Sequence, residues 1–245
     1  MTSQREFKAR IQDFFTFSKQ EINWLIVAIL ITGLIFSFRD WGGEEFDFAL
    51  GLRNFALVSV IAAVSFFFRL SCQKLYALNE GYKAEFRAWP LGFIISLVFA
   101  FVSFGRIPLI LIGTMVNAFM VKQRLGEFRY GFSYWHNGII AYWGILGNLI
   151  LAGLLSIGLY FSPENYFLGK GLALNLIMAF TSLIPLPQLD GLNIFYASRK
   201  LWVAAIIITL FVTILLLSKT ATGLIIGWVF GLLYALVYIL IGSEK

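Results

Sequence analysis

Cysteine and histidine each occur once in this chain, as Cys72 and His136. A single cysteine excludes an intrachain disulfide and leaves the redox compartment open. Charge is scarce as well. Only 13% of the 245 residues are Asp, Glu, Lys or Arg, against roughly 25% in a soluble domain, which excludes an ordinary water-soluble globule. The net charge of +6 does not point to nucleic acid. The basic residues sit in short loops between apolar segments, where the positive-inside bias places them.

What the chain does contain is apolar: 60% hydrophobic residues and a mean hydropathy of +0.83. A spanning helix needs about 20 mostly apolar residues. Segments 22–38, 53–68, 138–161, 167–187, 201–218 and 220–242 qualify. The stretch 90–121 is apolar but broken by Gly105, Arg106 and Pro108. It reads as two limbs of a helical hairpin, or as one span followed by a re-entrant piece covered by protein or water. The fold expected is an all-α polytopic membrane protein of about six transmembrane helices plus this hairpin or re-entrant segment, in one membrane domain over 22–242. Residues 1–21 hold four basic and three acidic residues. They read as a cytoplasmic leader, either an amphipathic helix on the membrane surface or a plain solvated lead-in. No cleavable signal peptide is expected.

The charges set an expected orientation. Arg5, Lys8, Arg10 and Lys19 lie in the leader, Arg69, Lys74, Lys83 and Arg87 after the second span, and Lys122, Arg124 and Arg129 in the next basic loop. The first loop is acidic instead, with Asp40, Glu44, Glu45 and Asp47. If 90–121 goes out and returns, every basic loop faces the cytoplasm. The chain is then expected in the cell membrane, multi-pass, with its N-terminus cytoplasmic.

The stretch "IPLPQLDGLNIF", Ile184 to Phe195, places a lone carboxylate beside two prolines and a glycine. Pro185 and Pro187 lack amide hydrogens and push the residues before them towards extended geometry. The preceding helix should therefore end near Leu183, before a turn carrying Asp190 and Gly191. A carboxylate at that depth invites a metal or proton role; equally, it can cap the next helix. Gly144, Gly147, Gly153 and Gly158 recur near the spacing that lets helices approach closely.

"IPLPQLDG", with its proline-spaced turn ending in Leu189-Asp190-Gly191, resembles the third conserved segment of the site-2 protease family, the intramembrane zinc metalloproteases. "GYKAEFRAWPLGF" (Gly81 to Phe93) looks like the segment after that family's zinc-binding helix. "NGIIAYWGILGNLILA" (Asn137 to Ala152) resembles its Gly-Pro-x-x-Asn segment, with Gly144 and Asn148 at the fixed points. "GLNIFYASRKLWV" resembles the passage after the family's Asp-Gly. The resemblance covers about residues 55–215 and implies a site-2-protease-like core.

The family's chemistry needs His-Glu-x-x-His, two imidazoles one helical turn apart with a glutamate that activates the metal-bound water. Counting back from "GYKAEFRAWP", those positions fall on Arg69, Leu70 and Gln73. By this resemblance the zinc-binding histidines and the catalytic glutamate are all lost, and Asp190 is the sole retained ligand position. Ile145 replaces the family's proline and Ser182 its asparagine. Two functions are then expected as alternatives. The first is a catalytically inactive pseudoprotease, without zinc, that binds or regulates a transmembrane helix of another membrane protein. The other is an active zinc metalloprotease with rearranged ligands, Cys72, His136 and Asp190. His136, in the aromatic "YGFSYWHNG", reads more simply as an interfacial residue. The lipid bilayer is the other partner expected.

Overall fold

The computed structural model describes residues 4–42, 45–119 and 133–218, with Thr222, Gly223, Ile225, Ile226, Trp228 and Val229 beyond them. The expected span 220–242 and the basic cluster Lys122, Arg124 and Arg129 lie outside the described residues, apart from those six.

Local signals start the helices where they do. The leader forms a helix, α1 (Gln4–Phe14). Its Arg10 donates to the Leu78 and Asn79 carbonyls at 2.9 and 3.2 Å, occupying acceptors that the end of the helix over residues 48–79 would leave bare. A reciprocal capping box between Ser18 and Glu21 opens α2 (Lys19–Ser37). The Asp47 carboxylate caps α3 (Phe48–Asn79) by accepting from the Leu50 amide at 3.0 Å. Gly81, at φ +84°, then turns the chain out of the helix.

Here the structure departs from an all-α fold. Residues 82–88 form strand β1 (Tyr82–Ala88), which pairs antiparallel with β2 (Gly113–Phe119) in register Tyr82↔Phe119 to Ala88↔Gly113. Between the strands runs one short helix, α4 (Pro90–Val102), with proline at its first turn. The return limb, 103–112, is extended or turned rather than helical. Over its described residues, 90–119, the segment is thus a helix with an extended return, and not a pair of helical limbs. Gly105 sits at φ +69° where the chain reverses.

The remaining helices are α5 (Tyr134–Phe161), α6 (Tyr166–Ser182), α7 (Asp190–Ala197) and α8 (Arg199–Leu217). Among the described residues four helices are long and apolar enough to cross a membrane, namely α2, α3, α5 and α8. This is a membrane protein. The six expected spans stand at four: α6 has 17 residues, at the short limit for crossing, and 220–242 is not described. Large apolar side chains such as Ile26, Val64, Val98 and Ile214 are exposed, as a lipid-facing surface requires.

Helix α5 is the hub, packing on α3, α6, α7 and α8. Its glycines permit that. A Cβ at Gly144 would lie 2.5 Å from Gln73 Nε2, and one at Gly138 would lie 2.2 Å from the Ala197 Cβ.

Candidate functional site

The proline turn decides where Asp190 goes. Helix α6 stops at Ser182, and Pro185 and Pro187 lie in an exposed loop that cannot continue it. Gln188 takes φ +65°, and the Leu189 amide donates back to the Leu186 carbonyl at 3.1 Å. The turn folds so tightly against the end of α6 that a Cβ on Gly191 would lie 2.3 Å from the Leu183 carbonyl oxygen. Trp202 pins the same carbonyl through its indole nitrogen at 2.8 Å. Asp190 is thereby delivered to the first turn of α7, aimed inwards and 1% exposed.

Asp190 does not cap that helix. Leu189 stands at the cap position, which makes no side-chain hydrogen bond. The Asp190 carboxylate instead receives three side-chain donors. Arg69 donates through Nη2 to Oδ2 at 2.5 Å, Gln73 through Nε2 to the same oxygen at 3.0 Å, and Thr114 through its hydroxyl to Oδ1 at 2.5 Å. Arg69 and Gln73 lie one turn apart on α3, so both reach the same point. Gln73 also donates to the Ala141 carbonyl at 3.3 Å, and Asn193 donates to the Thr114 hydroxyl oxygen at 3.1 Å. Arg69 is itself 5% exposed. Its Nη1 has no hydrogen-bond partner among the described residues. It lines a cavity of about 10 Å³ bounded by Phe66, Leu70, Phe86, Ile112 and Ser182.

Such a buried pair forms because an unpaired charge at this depth is strongly disfavoured. The charge-assisted contact to Arg69 and the two neutral donors give both carboxylate oxygens a partner. The donor set does not suit zinc. A guanidinium has no lone pair to give, the Gln73 nitrogen is turned towards Asp190, and Leu70 is an apolar, 2% exposed core residue that cannot act as a base.

The sequence-derived positions do not all meet. Arg69, Leu70, Gln73, Gly144, Leu189, Asp190 and Gly191 converge on this centre or its immediate packing. Pro185 and Pro187 shape the turn without reaching it. Asn148 is fully buried in α5, with neither side-chain polar atom partnered among the described residues. The rearranged set of Cys72, His136 and Asp190 does not assemble. Cys72 packs on Gly147, with its sulfur 3.2 Å from where that residue's Cβ would be. His136, half-exposed, pairs through Nε2 with Glu80 at 3.5 Å and leans on the Tyr82 ring. Among the described residues no three His, Cys, Asp or Glu side chains group as metal ligands would. Sequence reasoning does not find Thr114 or Asn193. Thr114 lies inside a long apolar run, and only the strand register reveals which way it faces.

The chain is 30% identical over 199 residues to the Methanocaldococcus jannaschii protein named "Putative zinc metalloprotease MJ0611", a match covering 77% of this chain and 90% of that one. The chain belongs to the family of that protein. No family model matches the chain, and no solved structure does. Within this family the present chain carries, around Asp190, a guanidinium and an amide on α3 and a hydroxyl on β2.

Proposed function

We propose that the chain is a site-2-protease-like membrane protein that has lost zinc and peptide-bond cleavage, and that binds or regulates a transmembrane segment of another membrane protein. Its place is the cell membrane, with the N-terminus in the cytoplasm. The observation that carries this reading is the Arg69–Asp190 pair. At two positions that the resemblance assigns to metal ligands, Arg69 and Asp190, an internal cation already neutralises the carboxylate. Leu70 at the position of the base leaves no group to activate a water.

Full-length protein purified in detergent should contain no stoichiometric zinc and should leave transmembrane substrates intact. A membrane protein recovered with it in stoichiometric amount from native membranes should likewise remain uncut. Stoichiometric zinc together with cleavage that Asp190→Ala abolishes would overturn the reading. Recovery with lipid alone would remove its partner-binding half.

A further inference from the structure

Three donors converge on Asp190, but one of them carries charge. That charge sits on a flat, forked group with hydrogens fixed in its plane, whereas a metal ion is a sphere that needs lone pairs from all sides. The Gln73 and Thr114 donors both point their hydrogens at the carboxylate, so neither offers a lone pair towards a cation beside Oδ2. The guanidinium faces Asp190 through Nη2, its Nη1 has no partner among the described residues, and Arg69 lines the cavity of about 10 Å³, room for roughly one water molecule. Because Asp190 already neutralises Arg69, a neutral acceptor such as water suits that cavity better than an anion.

We infer that the Asp190 carboxylate, held in place by Gln73 and Thr114, is a guanidinium receptor filled by the side chain of Arg69, and that this resident cation ties α3 to α7. The charge that the pocket recognises is set by Asp190 and its two neutral donors, independently of any partner helix.

The receptor can be emptied and refilled. In the full chain, Arg69→Ala leaves Asp190 buried and unpaired, and its unfolding temperature should fall by about 6–20 °C. Millimolar guanidinium chloride should restore at least half of that loss. Sodium chloride at the same ionic strength, a fully methylated guanidinium and zinc chloride should each restore nothing. The Arg69→Ala/Asp190→Asn double variant should not respond to guanidinium at all. Restoration by zinc, or no restoration by guanidinium, overturns the inference. Should Arg69→Ala fail to fold, Arg69→Lys decides, because it keeps the charge but replaces the planar guanidinium with an ammonium. A drop of several degrees is expected, and an unchanged unfolding temperature would show that any cation serves.

Discussion

Glu21 and Lys74 form a buried ion pair, 2.8 Å apart, along the edge of β1 that β2 leaves open. The Glu21 carboxylate accepts from the Phe86 amide at 2.6 Å, and the Lys74 ammonium donates to the Ala84 carbonyl at 3.0 Å and the Thr16 carbonyl at 2.9 Å. Two side chains thus satisfy backbone groups that a third strand would otherwise take. An unpaired strand edge is a liability, and here one acid and one base close it. The same pair ties the α1–α2 linker to the strand whose Phe86 borders the Asp190 site.

Breaking that pair from one side leaves a charge buried alone. Lys74→Met should therefore destabilise the protein by about 3–5 kcal/mol, and Lys74→Met combined with Glu21→Gln should cost clearly less than the single change. Chemical denaturation of the three variants in detergent measures the difference. A double variant as weak as Lys74→Met would show that the lost lysine contacts, and not the stranded charge, set the cost.

A more open ion pair gives the contrast. Lys170 lies 2.5 Å from Asp40, which also accepts from the Tyr166 hydroxyl at 2.6 Å. The Lys170 and Asp40 side chains keep 27% and 21% of their surface exposed. Water screens such a pair, so Lys170→Met should cost about 1 kcal/mol or less. A loss equal to that of Lys74→Met would mean that this end of the bundle is far drier than its exposure indicates.

Two glycines should respond to alanine in opposite directions. Gly191→Ala drives a Cβ into the Leu183 and Ile184 carbonyls, backbone that cannot step aside, and should cost about 1–3 kcal/mol while loosening Asp190. Gly169 in α6 has nothing within 4 Å of its added Cβ, so Gly169→Ala should stabilise by about 0.5–1 kcal/mol. Unfolding temperatures of the two variants, taken side by side, test the geometry of the turn.

Burial, followed by the Glu80 charge, raises the Tyr82 hydroxyl above its ordinary pKa of 10.0. A raised folded value means that Tyr82 stabilises the protein while neutral. That contribution is fully present below pH 10.0 and is lost as pH climbs through the folded value. Tyr82→Phe should flatten part of the alkaline fall in stability, read as unfolding temperature against pH. An identical alkaline limb in the variant would exclude Tyr82 as a contributor.

The long helices are legible in sequence because run length is what a bilayer selects. The runs 22–38, 53–68, 138–161 and 201–218 became α2, α3, α5 and α8. Where α3 outlasted its apolar run, tertiary partners explain it. Arg69, Gln73 and Lys74 interrupt the hydropathy, yet each is buried against Asp190 or Glu21, so the helix continues to Asn79. The strands were hidden for a different reason. "YKAEFRA" alternates over only seven residues, and "GTMVNAF" is apolar enough to merge with the run before it. No local pattern joins Arg69 to Asp190, 121 residues apart; only the family resemblance puts both at ligand positions of one metal site. Thr114 carried no signal at all.

The β1–β2 ladder has a consequence for how the chain threads through the bilayer during synthesis. Ala88 pairs with Gly113, and the Trp89 amide donates to the Ile112 carbonyl at 2.7 Å, so the excursion through α4 is closed at its base like a drawstring. However deep α4 dips, residues 89–112 return to the face they left and add nothing to the odd-or-even count of crossings. Compartment reporters fused just before β1 and just after β2 should therefore report the same side, and hydropathy counting that scores α4 as a crossing inverts every segment downstream.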